Sequence, residues 1–347
     1  MVVGGTLLQR RHYQAPAQTL CATGILTLYG TTFACRSIYE FPWFGTVPAF
    51  LLMTLITAAA LVLALRLEAL VIAILGLVGG FLTPILLSTG QDNPLALFSY
   101  ILLLDVGLLA LTFHRRWHFL AAMAAVGTVL MELSWMGEFF VRERYFEGNR
   151  ILVALAVFAG FAGLFNAAWW RGRDRSELKV WLWASAILMS AVALSVVPYW
   201  FGFEPLGGRP GLMFAYVLLI DLGLLLLAWS ERRLLPVEPA AGGAVFLLLT
   251  IWIAGHLDTA LLYWGLGLVF LFALLHSLIP VVRRRLQPEL PVTWWGHLFP
   301  LAALGLMLIP IFRMDPVPFG VWPFVMLLNL VVVGLALAWG SVVGLVS

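Results

Sequence analysis

Phe98-Ser-Tyr-Ile-Leu-Leu-Leu-Asp105-Val-Gly107 and Phe214-Ala-Tyr-Val-Leu-Leu-Ile-Asp221-Leu-Gly223 are the stretches whose reading decides the fold. Each lies in an apolar run of about 20 residues, long enough to cross a bilayer as a helix. Each carries one acid in the middle of that run. Tyr100, Asp105 and Gly107 recur 116 positions on as Tyr216, Asp221 and Gly223, and both runs end in a basic pair, Arg115-Arg116 and Arg232-Arg233. A fainter third copy, Phe324 to Gly334, has Asn329 in the acidic place. Recurrence at a fixed interval is the signature of an internal repeat.

The rest of the chain reads the same way. Of 347 residues, 63% are hydrophobic and 11% charged. An ordinary soluble domain is about 45–50% apolar and about 25% charged. This excludes a soluble globular chain, a disordered tail, a basic nucleic-acid-binding protein and a disulfide-stapled module. The reading is an all-α, polytopic transmembrane helical bundle whose main partner is the lipid bilayer. Twelve spans are expected, at 17–38, 46–65, 69–88, 94–113, 119–140, 150–170, 180–200, 211–229, 240–256, 259–281, 293–312 and 319–340. The ninth and tenth could instead form a re-entrant pair. A membrane barrel would alternate apolar and polar residues, whereas these runs are apolar all round.

Pro84, Pro198 and Pro310 precede Asp105, Asp221 and Asn329 by 21, 23 and 19 residues, each where it can break or kink the preceding span. Three four-helix repeats follow, 1–116, 117–233 and 234–347, forming one membrane domain. Four spans return the chain to its starting side, so the repeats are parallel. Fourteen of the 20 basic residues fall at the N-terminus and in the loops on the same side: Arg10, Arg11, Arg66, Arg115, Arg116, Arg171, Arg173, Arg175, Lys179, Arg232, Arg233 and Arg283 to Arg285. The positive-inside rule then puts both termini in the cytoplasm. Arg10-Arg11-His12 follows at once on the short apolar start, which argues against a signal peptide.

Asp105 and Asp221 lie about 16 Å into their helices, near the midplane. An ionised carboxylate there is costly unless it is hydrated or paired. One reading is a proton or ion site made by Asp105, Asp221 and Asn329 with Tyr100 and Tyr216, drawn toward a common axis by the repeats. The other is a set of protonated hydrogen-bonders that fix helix packing. Glu132 reads as a snorkelling or water-exposed carboxylate nearer the outer face, or as part of a vestibule for a cation. Gly76 and Gly80 have the spacing of close helix association, within the bundle or between copies. Trp169, Trp170, Trp181, Trp183, Trp200, Trp294, Trp295, Trp322 and Trp339 read as an interfacial belt. Cys21 and Cys35 are too far apart on one helix to bridge each other, and His276 reads as structural or interfacial. His256 and Asp258 are too few ligands for zinc, so neither metal nor cofactor is expected. No hydrolase or phosphate-binding motif is present, which argues against an enzyme.

Gly79-Gly-Phe-Leu-Thr-Pro-Ile-Leu-Leu-Ser-Thr-Gly90, the Asp105 helix and Arg115-Arg-Trp117 together resemble a bacterial family of predicted inner-membrane proteins. That family is defined only as a domain of unknown function. Leu7-Leu-Gln-Arg-Arg-His-Tyr13 and Gly24-Ile-Leu-Thr-Leu-Tyr29 are similar to its first helix, and the resemblance extends over about residues 1–135. It implies a bacterial inner-membrane location and supplies no substrate. In the family the position of Asp105 is commonly Asn, and members are commonly longer at the N-terminus. Two functions are therefore expected. One is a proton- or ion-coupled transporter or channel-like protein. The alternative is an accessory subunit of a membrane complex or homo-oligomer.

Overall fold

A computed structural model describes residues 1–10, 13–88, 90–115, 117–140, 145, 150–287, 295–314 and 316–346; among them all regular structure is helical. The chain folds as two compact units, 1–189 and 190–347. In the first, the long helices are α1 (Val2–Arg10), α2 (Gln14–Phe33), α3 (Thr46–Leu67), α4 (Leu70–Leu86), α5 (Pro94–His114), α6 (Leu120–Phe139) and α7 (Arg150–Gly172). Helix α8 (Ser176–Ser195) carries the boundary. The second unit continues with α9 (Val197–Phe201), α10 (Glu204–Gly207), α11 (Pro210–Ser230), α12 (Val237–His256), α13 (Leu262–Leu286), α14 (Leu298–Arg313) and α15 (Val321–Val346).

Helix is the form these runs must take, because a lipid-facing backbone has no water to bond and satisfies itself only along its own axis. Among the described residues nine helical stretches are long and apolar enough to cross a membrane. Leu70–Leu86 and 321–337 are apolar but shorter. The 20-residue α12 and 25-residue α13 both lie within stretches long and apolar enough to cross a membrane.

Within the first unit α3 packs on α4, α2 on both, and α5 on α3, α4, α6 and α7. Small residues let these backbones approach. A Cβ on Gly76 would meet Ala60 at 3.2 Å, and one on Gly80 would meet Leu104 at 2.9 Å and Thr57 at 3.2 Å. Both glycines thus seat helices inside the bundle. The α3–α4 corner turns at Glu68, which adopts a left-handed conformation (φ 52°) without being glycine. Arg115, at the end of α5, forms an ion pair with Glu68 and donates to the Leu65 carbonyl, holding that costly corner.

In the second unit α11 packs on α12 and α13, and α14 on α12, α13 and α15. The interfacial belt needs correcting: Trp169 and Trp200 are fully buried, whereas Trp170, Trp181 and Trp322 are exposed. Their place near span ends reflects packing as much as the headgroup boundary. Trp294 and residues 141–144 and 146–149 lie outside the described residues. Cys21 is buried and Cys35 half-buried, each as a free thiol.

Candidate functional site

The site begins with two prolines. Pro84 lies inside α4 and has no N–H to give to the carbonyl four residues earlier, that of Gly80. The Tyr100 hydroxyl, from α5, donates to that same carbonyl at 2.9 Å. In the second unit α8 ends at Ser195 and α9 opens with Pro198 in its first turn. The last carbonyls of a helix lack internal donors, and Tyr216, from α11, donates to one of them, Ala193, at 2.9 Å. Each of the two tyrosines thus satisfies a helix carbonyl close to a proline.

The ring partners also recur. Phe98 meets Trp135 edge to face at 5.2 Å, and Phe214 meets Trp252 in the same way at 5.7 Å. Such pairs add about 0.5–1.5 kcal/mol beyond their buried area. The indole of Trp135 donates to Asp92, which also accepts from Tyr145, and that of Trp252 donates to the Gly207 carbonyl. These contacts fix α5 against α6 and α11 against α12, and so set the azimuth of the acid one turn or more further along each helix.

Asp105 is fully buried. One carboxyl oxygen accepts from the Thr128 hydroxyl of α6 at 2.6 Å, and the other has no hydrogen-bond partner among the described residues. Glu132 follows Thr128 by four positions, which puts both on one face of α6. It is fully buried, neither of its oxygens has a partner among the described residues, and it interacts electrostatically with Asp105. The expected water-exposed or snorkelling Glu132 is therefore replaced by a buried neighbour of Asp105. The signal was available, since Thr128-x-x-x-Glu132 is a helical polar pair in an otherwise apolar run.

Asp221 is also fully buried, and Nε2 of His276 lies 3.2 Å from its Oδ2, without the alignment of a hydrogen bond. His276 belongs to α13, seven residues before Arg283, which is buried as well. Arg283 donates to Glu238 of α12 at 2.6 Å and packs over the Trp229 ring at 5.1 Å. Sequence reading missed this cluster for a physical reason. Arg283 precedes Arg284 and Arg285 and looks like loop charge, and Glu238 sits beside two prolines at a helix start. Only the packing of α11, α12 and α13 brings His276 to Asp221 and Arg283 to Glu238.

Asp105 and Asp221 belong to different units, each with partners from its own unit. Asn329 differs from both: it is exposed on α15 and donates to the carbonyl of Val325 on its own helix. Asp258 caps the amide of Leu261. Among the described residues no three His, Cys, Asp or Glu side chains converge as a metal site.

The chain belongs to the family described as Predicted membrane protein (DUF2339), which matches residues 1–202. The match takes in Pro84, Tyr100, Asp105, Thr128, Glu132 and Pro198, and ends before Asp221. No curated protein and no solved structure matches the chain.

Proposed function

We propose that this is a proton- or ion-coupled membrane transport protein whose working groups are Asp105 with Glu132 in the first unit and Asp221 in the second. The observation that carries this reading is that all three carboxyls are fully buried within apolar helices, each beside another titratable group. An ionisable group inside a bilayer costs at least about 2.5–3.5 kcal/mol on insertion scales, and such groups commonly mark ion or proton pathways. Tyr100 and Tyr216 bond helix carbonyls close to Pro84 and Pro198 and so position the acids. Asn329, outside the packed interior, takes no part.

The repeat organisation is part of the same proposal. The two tyrosine–carbonyl contacts, within 1–116 and 117–233, support those repeats, and the two Phe–Trp pairs, each reaching into the following repeat, recur at nearly the same interval. The proposed third repeat, 234–347, carries Pro310 on α14 and Asn329 on α15. Twelve crossings, cytoplasmic termini and a bacterial inner-membrane location complete the reading.

The purified protein in liposomes with an internal pH dye tests it. Asp105→Asn and Asp221→Asn should each slow flux about a hundredfold or more, the usual weight of a positioned acid or base. Wild-type flux in both variants would refute the proposal. A second reading, an accessory subunit of a membrane complex, draws on the sealing of Asp105. That carboxyl is fully buried against a threonine hydroxyl, as a packing group would be. Absence of flux together with a partner that copurifies in stoichiometric amount would favour it.

A further inference from the structure

We infer that the ion handled in the second unit is a proton, and that it moves between Asp221 and the arginine-bearing end of α13 through His276 and Glu238. This rests on the reading of Asp221 as a working carboxyl; the identity of the ion and its route are new.

Four ionisable side chains from three helices form the line. Asp221 comes from α11, Glu238 from α12, and His276 and Arg283 from α13. All four are buried. The imidazole faces two ways. Its Nε2 is 3.2 Å from Asp221, while its Nδ1 faces α12 at Gly242, where an added Cβ would stand 2.9 Å from it. Gly242 follows Glu238 by one helical turn and so shares its face. Glu238 is within electrostatic reach of His276, and its Oε1 has no hydrogen-bond partner among the described residues. Arg283 holds the other oxygen of Glu238. Pro280, between His276 and Arg283, has no N–H for the His276 carbonyl, which leaves one more acceptor on the line. Among the described residues two rings also border the line, Phe299 at 5.0 Å from the imidazole and Trp229 under Arg283.

Charge counting gives room for one monovalent cation, and the chemistry of the groups favours the proton. With both acids and Arg283 ionised and the imidazole neutral, the cluster carries one net negative charge. One added proton brings it to zero, whether it rests on Glu238, on His276 or on Asp221. Transfer from His276 to Asp221 breaks the Nε2–H bond and forms an O–H bond at Oδ2, with no change in net charge. Transfer between Glu238 and His276 is balanced in the same way. In a low-dielectric interior such moves avoid the cost of creating an unpaired charge. A hard metal cation would want a shell of six or more oxygens. Here the two carboxylates are flanked by a neutral imidazole in place of further oxygens and by the Arg283 guanidinium, whose charge would repel the metal.

The test uses the full chain in liposomes, with Asp221→Asn, His276→Gln, Glu238→Gln and the charge-balanced pair Glu238→Gln with Arg283→Gln. Wild-type protein should conduct protons without sodium. His276→Gln and Glu238→Gln should each slow that flux about a hundredfold. The paired variant should remain monodisperse and be equally slow, which separates the route from misfolding caused by an orphaned arginine. No flux in the wild type would overturn the transport reading itself. Flux that falls in Asp221→Asn but persists at the wild-type rate in the paired variant would overturn the route alone. Flux of sodium in place of protons would overturn the identity of the ion and leave transport standing.

Discussion

At the scale of single residues, the tyrosine hydroxyls make a sharp demand. Tyr100 gives its proton to a carbonyl that Pro84 has deprived of its helical donor. Removing the hydroxyl leaves a buried acceptor unpaired, which costs about 1–3 kcal/mol. Tyr100→Phe should therefore lower the thermal unfolding midpoint in detergent while leaving α-helical content unchanged. An unshifted midpoint would mean that the Gly80 carbonyl finds another donor. Thr57, beside it, already gives its own proton to the Met53 carbonyl at 2.9 Å and accepts from Tyr29, so it is no substitute.

At the scale of elements, α5 and α11 each present an acid to neighbouring helices, and α15 does not. Asn329 faces outward and is satisfied within its own helix. Asn329→Leu should leave both unfolding temperature and proton flux within error of the wild type, since surface changes away from special contacts are small, about 0.5 kcal/mol. A marked loss of flux would place α15 against a partner. The sequence carried the helices well, because an apolar run of 20 residues has few alternatives in lipid. It carried Asp105 and Asp221 for the same reason, as lone acids against an apolar background. His276, Glu238 and Arg283 were invisible because their chemistry depends on which faces of α11, α12 and α13 meet. Glu132 lies near a helix end yet is buried, because Thr128 and Glu132 share the face that α6 turns toward α5.

At the scale of the whole molecule, an even number of crossings returns both ends to one side. Reporter fusions at Met1 and Ser347 should both report a cytoplasmic location, and opposite locations would refute the proposed twelve crossings. The pairing of Pro84 with Tyr100 also reaches beyond this chain. The hydroxyl at position 100 answers a defect that the ring at position 84 creates, so neither residue has a separate reason to persist. A related chain that trades the proline for a residue bearing an amide hydrogen is free to carry phenylalanine in the other place. One that keeps the proline is not. The two positions should therefore be inherited as a couple, and the age of the gap in the α4 hydrogen-bond ladder can be read from which lineages hold both.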